Sequence, residues 1–132
     1  MADAIQFLPG ELDTHDPYVK YNHIEMVENT PEFTRAEMHL TPDSMNFHGI
    51  AHGGALATLA DATCGFFVNT HVGPCMAVNC SMEYLRPATG NTLTCVARPV
   101  KLGKTLSIVR FEITNEAGKV TTTGTFSLFV AK

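Results

Sequence analysis

Apolar and polar residues alternate twice in the first third of the chain. In residues 21–28, Ile24, Met26 and, with them, Asn22 fall on one face. After the turn signal Asn29-Thr30-Pro31, residues 33–41 set Ala36, Met38 and Leu40 against Arg35, Glu37 and His39. A period of two on either side of a short turn predicts a β-hairpin. Thr41-Pro42-Asp43-Ser44 then breaks the sheet. From Ala55 to Val68 the chain is apolar almost all round, which predicts a helix from near His52 to Val68 or Asn69, enclosed by protein. Its alanines and Gly65 suit close approach of a sheet. Gly65 costs about 1 kcal/mol of helix propensity against Ala, which a packing need would explain.

Gly73-Pro74 ends that segment, and four strands follow. Residues 75–85 place Met76, Val78, Cys80 and Met82 on one face. Residues 92–100 lead to a turn at Lys101-Leu102-Gly103-Lys104. Residues 105–114 align Val109, Phe111 and Ile113, and residues 120–130 align Phe126, Leu128 and Val130. Ahead of all this, a short helical piece is predicted around Ala4 to Leu8. His15-Asp16-Pro17 reads as a turn with His15 exposed. Two strands, one buried helix and four strands predict an α+β fold: an antiparallel sheet of about six strands wrapped around one long central helix.

The 132 residues suit a single domain, 1–132, with no repeat or linker. Hydrophobic residues, at 45%, are enough for a core. Charged residues, at 17%, fall below the roughly one quarter usual in soluble domains, which points to surface buried between subunits. Net charge is −4, so a nucleic-acid partner is not expected. Residues 1–43 hold nine acids and two bases, whereas residues 84–111 hold no acid and five bases: Arg86, Arg98, Lys101, Lys104 and Arg110. Solvated strand faces account for that cluster as well as a seat for a phosphate-bearing ligand does. Cys64, Cys75, Cys80 and Cys95 form no Cys-x-x-Cys pair, and no signal peptide precedes them. They are read as reduced core thiols of a cytoplasmic protein. No apolar run approaches a membrane span.

Between Ser44 and Met82 the only formally charged residue is Asp61, in the middle of the helix. A carboxylate among Leu56, Leu59, Ala60, Ala62 and Phe66 is costly to bury without a partner or a task, so it is a candidate functional group. The helix start supplies the complement. Its unsatisfied N–H groups and partial positive charge can hold a developing oxyanion, and Gly53 and Gly54 let a carbonyl approach. Asp61, however, lies nine positions after His52. That is about 13 Å along the axis and two and a half turns, on the opposite side of the helix. One chain cannot easily join these groups. Two antiparallel helices across a two-fold axis can, and they do so twice, which predicts an obligate homodimer if the protein is an enzyme. His48, His52 and His71 lack the spacing of a zinc site, and Cys64 lacks a neighbouring base, so neither metal nor cysteine catalysis is expected.

The residues Asn46-x-x-Gly49-x-x-His52-Gly53-Gly54, then Asp61, then Tyr84-Leu85-Arg86-Pro87, then Gly103-Lys104 resemble the hotdog-fold thioesterase superfamily, in particular the PaaI-like acyl-CoA thioesterases. The likeness covers nearly all of the chain beyond the first dozen residues. It implies hydrolysis of an aryl- or medium-chain acyl-CoA to the free acid and CoA, with no cofactor. It further implies that the amide at Gly53 polarises the thioester carbonyl and that Asp61 acts as general base or nucleophile. Asn46 would place water or brace the loop, and His52 would support the helix start. Some relatives carry a hydroxyl early in the strand after the helix. Here Ala77 stands in that place, with Asn79 as a possible substitute. Arg86, Lys101, Gly103 and Lys104 would face the CoA phosphates, and Phe47, with Met45, Phe66 and Phe67, would line an acyl pocket or belong to the core. The resemblance also implies a dimer of dimers. A dehydratase or isomerase on the same fold and a non-catalytic acyl-CoA-binding module are the alternatives.

Overall fold

The computed structural model describes residues 5–131. Strands β1 (Ile24–Asn29) and β2 (Thr34–His39) form the expected hairpin. Helix α2 (Gly53–His71) follows, and then β3 (Cys75–Tyr84), β4 (Thr92–Leu102), β5 (Leu106–Thr114) and β6 (Val120–Val130). The six strands make one antiparallel sheet in the order β1-β2-β4-β5-β6-β3. Helix α2 lies across it, packed on β2, β3, β4 and β5. This is the hotdog architecture.

The alternating faces are in register. Ile24 and Met26, Ala36 and Met38, Val109, Phe111 and Ile113, and Phe126, Leu128 and Val130 are all buried beneath the helix. Leu59, Ala60, Cys64, Phe67 and Val68 meet them from α2. Burial of these side chains contributes roughly 1.5–3 kcal/mol for each large aliphatic or aromatic one, which makes this layer the main source of stability.

Three expectations need correction. Residues 5–8 are not helical, and Ala4 lies outside the described residues. The first helix, α1 (Pro17–Tyr21), comes later, where the Asp16 side chain accepts from the Tyr18 and Val19 amides and Pro17 opens the helix. Asx-Pro here is a helix start rather than a turn. Second, a bulge falls between Ala77 and Asn79, because Ala77 pairs with Leu128 and Asn79 with Ser127. The extra residue, Val78, reverses the alternation. Met76 therefore does not share a face with Cys80 and Met82. Cys75 and Ala77 face the helix instead, and Asn79 faces away.

Third, this chain alone does not enclose α2. A stripe through Gly54, Thr58, Asp61 and Gly65 is open or half-open. A Cβ placed on Gly65 meets nothing within 4 Å, so no contact among the described residues calls for a glycine there. Beside this stripe runs β3, which among the described residues pairs only with β6. Its Met76 and Val78 are 52% and 59% exposed. A ten-residue edge with one charged residue, Glu83, is unusual on an isolated domain.

Candidate active site

The helix start is built by the loop before it. Asn46 folds that loop on itself. Its Oδ1 accepts from the His48 amide at 2.9 Å and the Ile50 amide at 3.4 Å. Its own N–H donates to the Ile50 carbonyl. Gly49 sits at φ +79°, a conformation that side chains resist. The Ala51 amide then donates to the Ala88 carbonyl, which ties the loop to the chain after β3. His52 is the N-cap, and its Nδ1 accepts from the Gly54 amide at 2.9 Å. In that role the ring is neutral with its proton on Nε2.

The accounting of the first turn singles out one donor. Gly54 donates to the His52 ring, and Ala55 and Leu56 donate to the His52 carbonyl. The Gly53 N–H has no acceptor among the described residues. The Tyr84 ring stands beside it, with its hydroxyl donating to the Gly53 carbonyl at 3.3 Å. Gly53, Asn46, Tyr84 and Arg86 together border a groove of about 360 Å³. Tyr84 was not among the site residues expected from sequence, although it opens the Tyr-Leu-Arg-Pro run.

Asp61 opens into a different groove, of about 440 Å³, which shares no residue with the first. Its carboxylate makes no hydrogen bond or ion pair among the described residues. Desolvation by its surroundings, and then the nearby Asp16 charge, push it above the ordinary aspartate range. Ala77 and Cys75 border the same groove, as do Phe66 and Asn69. The Asn69 amide donates to the Gly65 carbonyl and to Cys75 Sγ. Asp61 and Gly53 are eight residues apart on one helix, about 12 Å along the axis.

The remaining candidates divide between the two ends. Arg86 belongs to the Gly53 groove. Lys101, Gly103 and Lys104 lie at the other end of the sheet, where the Thr105 carbonyl accepts from Val130 and Val130 pairs with Cys75. Gly103 packs so closely on the Leu106 carbonyl that a side chain would not fit. Phe47 is 93% exposed at the loop tip, stacked only on His48. Phe67 is core, whereas Phe66 is both buried and part of the Asp61 groove wall. Asn79 is not among the residues that line the Asp61 groove.

The cysteines are not uniformly core. Cys64 and Cys95 are buried, but Cys75 is half-buried and Cys80 exposed. Burial, and then Asp61, push the Cys75 thiol up to about 11, so it stays protonated at neutral pH. Among the described residues no group of three or more His, Cys, Asp or Glu side chains could hold a metal, and no helix is long and apolar enough to cross a membrane.

Residues 48–122 match the family model described as the thioesterase superfamily. The acyl-coenzyme A thioesterase PaaI of Escherichia coli K12 is 30% identical over 106 residues, covering 80% of this chain and 76% of the relative. The solved structure of the E. coli PaaI protein from the phenylacetic acid degradation operon superposes with a TM-score of 0.84 at 26% identity. It covers 89% of this chain and 86% of that one. A hypothetical thioesterase from Streptococcus pneumoniae TIGR4, solved with coenzyme A, gives a TM-score of 0.78 at 28% identity, over 82% of this chain and 85% of that one.

Proposed function

The chain belongs to the thioesterase superfamily, with PaaI-like relatives, and from that premise we propose that it hydrolyses acyl-CoA thioesters at two sites shared between the subunits of a homodimer. The observation that carries this reading is the separation described above. One helix bears an N–H donor and a carboxylate, each without a partner among the described residues, turned into two grooves that share no residue.

Strand β3 explains how two chains would unite them. It begins beside Asp61, where Cys75, Met76 and Ala77 border the groove, and ends beside Gly53, where Tyr84 does. Antiparallel pairing of two β3 edges lays the first end of one chain against the last end of its partner. Each Asp61 groove then meets the partner's Gly53 groove. The basic residues follow the same logic, because Arg86 arrives with Gly53, and Lys101 and Lys104 arrive with Asp61. Three cations converging from two chains suit the phosphates of CoA. A dimer of dimers is the further assembly that the family likeness supports.

In such a site the thioester oxygen accepts from the Gly53 N–H, reinforced by the helix dipole. Asp61 takes a proton from water, and the water oxygen bonds to the carbonyl carbon. The C–S bond breaks as the tetrahedral oxyanion collapses, and the departing CoA sulfur receives the proton that Asp61 holds. Alternatively the Asp61 carboxylate attacks the carbonyl carbon, the C–S bond breaks and CoA leaves as the thiolate; water then cleaves the mixed anhydride to the free acid and the Asp61 carboxylate, and the proton released goes to the thiolate. His52 holds the Gly54 amide, and Asn46 holds the loop, so that the single free donor stays aimed. An aryl-acyl or medium-chain acyl group is the expected substrate.

Release of free thiol from a panel of acyl-CoA substrates tests the activity and separates it from dehydration or isomerisation, which leave the thioester intact. Subunit mixing tests the shared site. Asp61→Asn and Gly53→Pro chains, each inactive alone, would regain roughly one quarter of wild-type activity when re-assembled together, because half of the dimers carry one intact site of two. Absence of recovery in demonstrably mixed dimers would sink the two-chain arrangement.

A further inference from the structure

The segment before α1 lies outside the matched family residues, yet it forms part of the Asp61 groove. Three of its side chains, Phe7, Glu11 and Thr14, turn inward in residues 5–16. The Phe7 ring meets Phe66 edge-on with 5.3 Å between centroids. That contact anchors one end of the segment to α2. Glu11 folds the segment back on itself, accepting from the Leu8 amide at 2.8 Å and pairing with His15, whose ring lies 5.9 Å from Phe7. Asp16 anchors the other end by capping α1, whose Val19 is buried in the core.

The groove floor has a complementary feature. Gly65 follows Asp61 by one helical turn, about 6 Å, and Asn69 follows by another. A glycine with open space before it, inside a helix, is unfavourable for the isolated chain. The open space at Gly65 adjoins the groove that Asp61 lines, and Phe7 and Phe66 stand on the wall of the same groove.

We propose that this N-terminal segment is the stop of the acyl slot: the acyl chain runs from Asp61 over Gly65, and Phe7 sets the longest chain that fits. This rests on the thioesterase reading for the identity of the occupant. It assigns specificity to residues that the family match does not include.

The test is a series of straight-chain acyl-CoA substrates of increasing length, assayed with the wild-type protein, Phe7→Ala and Gly65→Val. Phe7→Ala should raise the long-to-short ratio of kcat/KM by at least about tenfold, chiefly through KM, because one or two methylenes regain a place. Gly65→Val should lower the same ratio by a similar factor, and Phe7→Leu should lie between Phe7→Ala and wild type. Binding of the same series to Asp61→Asn chains, followed by calorimetry, gives the ratio without turnover. Turnover with an unmoved length profile in folded Phe7→Ala overturns the stop and leaves the thioesterase reading standing. Length-dependent binding that shifts with Phe7→Ala, without thiol release by the wild type, does the reverse. A uniform loss at all lengths, or a changed oligomeric state in Gly65→Val, assigns these residues to structure or to a subunit contact and also overturns the proposal.

Discussion

The two candidate regions of helix α2 are built on opposite plans. At its start, nearly every polar group is engaged. His52 holds Gly54, Asn46 holds its own loop, Tyr84 holds the Gly53 carbonyl, and one N–H remains free. Two turns later, Asp61 has no polar partner among the described residues, and Gly65 beside it faces open space. The first region is a fixed dipole, which in the proposed reaction would need no rearrangement as charge develops. The second is a carboxylate whose pKa desolvation and the Asp16 charge raise, as the proposed base would require. Had Asp61 stood in the first turn, the helix dipole would have stabilised its charge and weakened it as a base. Distance along one helix lets both properties coexist in one chain.

The largest expected effect comes from removing the isolated acid. Asp61→Asn should lower kcat by about 10²–10⁴-fold, the usual contribution of a positioned base. The same substitution should leave Tm at pH 7 unchanged or raise it. A carboxyl whose folded pKa is raised favours folding only while protonated. That contribution is complete below the unfolded value of about 3.9 and is lost as pH rises through the raised folded value. At neutral pH the charged side chain is therefore a cost, and the stability gap between wild type and variant should close in acid. A lower Tm for Asp61→Asn at pH 7 would show that the carboxylate is satisfied in the assembled protein.

Gly53→Pro comes next. Proline removes the one free N–H, and the first helical position tolerates it. His52 is already extended, at φ −61° and ψ 139°, as a residue before proline must be. A Cβ at Gly53 meets only the Tyr84 ring, at an ordinary 3.6 Å. We expect a folded protein with kcat reduced by about 10²–10³-fold. Full activity would mean that the free amide is not where the carbonyl binds.

The smallest effect should come from Asp16→Asn. Asp16 is the other carboxylate bordering the Asp61 groove, and its charge raises the Asp61 pKa. Removing it should move the acidic limb of the kcat/KM profile to lower pH, and added salt should shrink the difference. Asparagine still caps a helix, so α1 should persist. A limb that moves upward, or stays put at low salt, would separate the two carboxylates.

Much of this was legible in the residues. Strict alternation in β2, β5 and β6 placed Met38, Phe111 and Leu128 in the core, because a period of two admits one buried face. Asp61 stood out as a lone charge over nearly forty residues, and the Gly53-Gly54 pair stood out by its position at a helix start. Other features depend on partners far away in sequence. The Val78 bulge is set by how β3 meets β6, and it parted Met76 from Cys80 and Met82, with which strict alternation had grouped it. Gly53 and Gly54 look equivalent in sequence. The His52 ring distinguishes them, and no spacing rule reports a rotamer. The role of Phe7 was hidden for the same reason, since its partner Phe66 lies beyond the whole first hairpin. Asp16-Pro17, by contrast, carried a helix-start signal that could have been recognised.

Strand β3 also bears on the life of the chain before it is ever active. Its ten residues offer a ready template, with Glu83 as the sole charge to deter a stray strand. A newly synthesised copy that found no mate would remain prone to aggregation for as long as it waited. Folding and mating would then be a single event, with a melting temperature that climbs with protein concentration. For such a molecule, dilution acts as a denaturant.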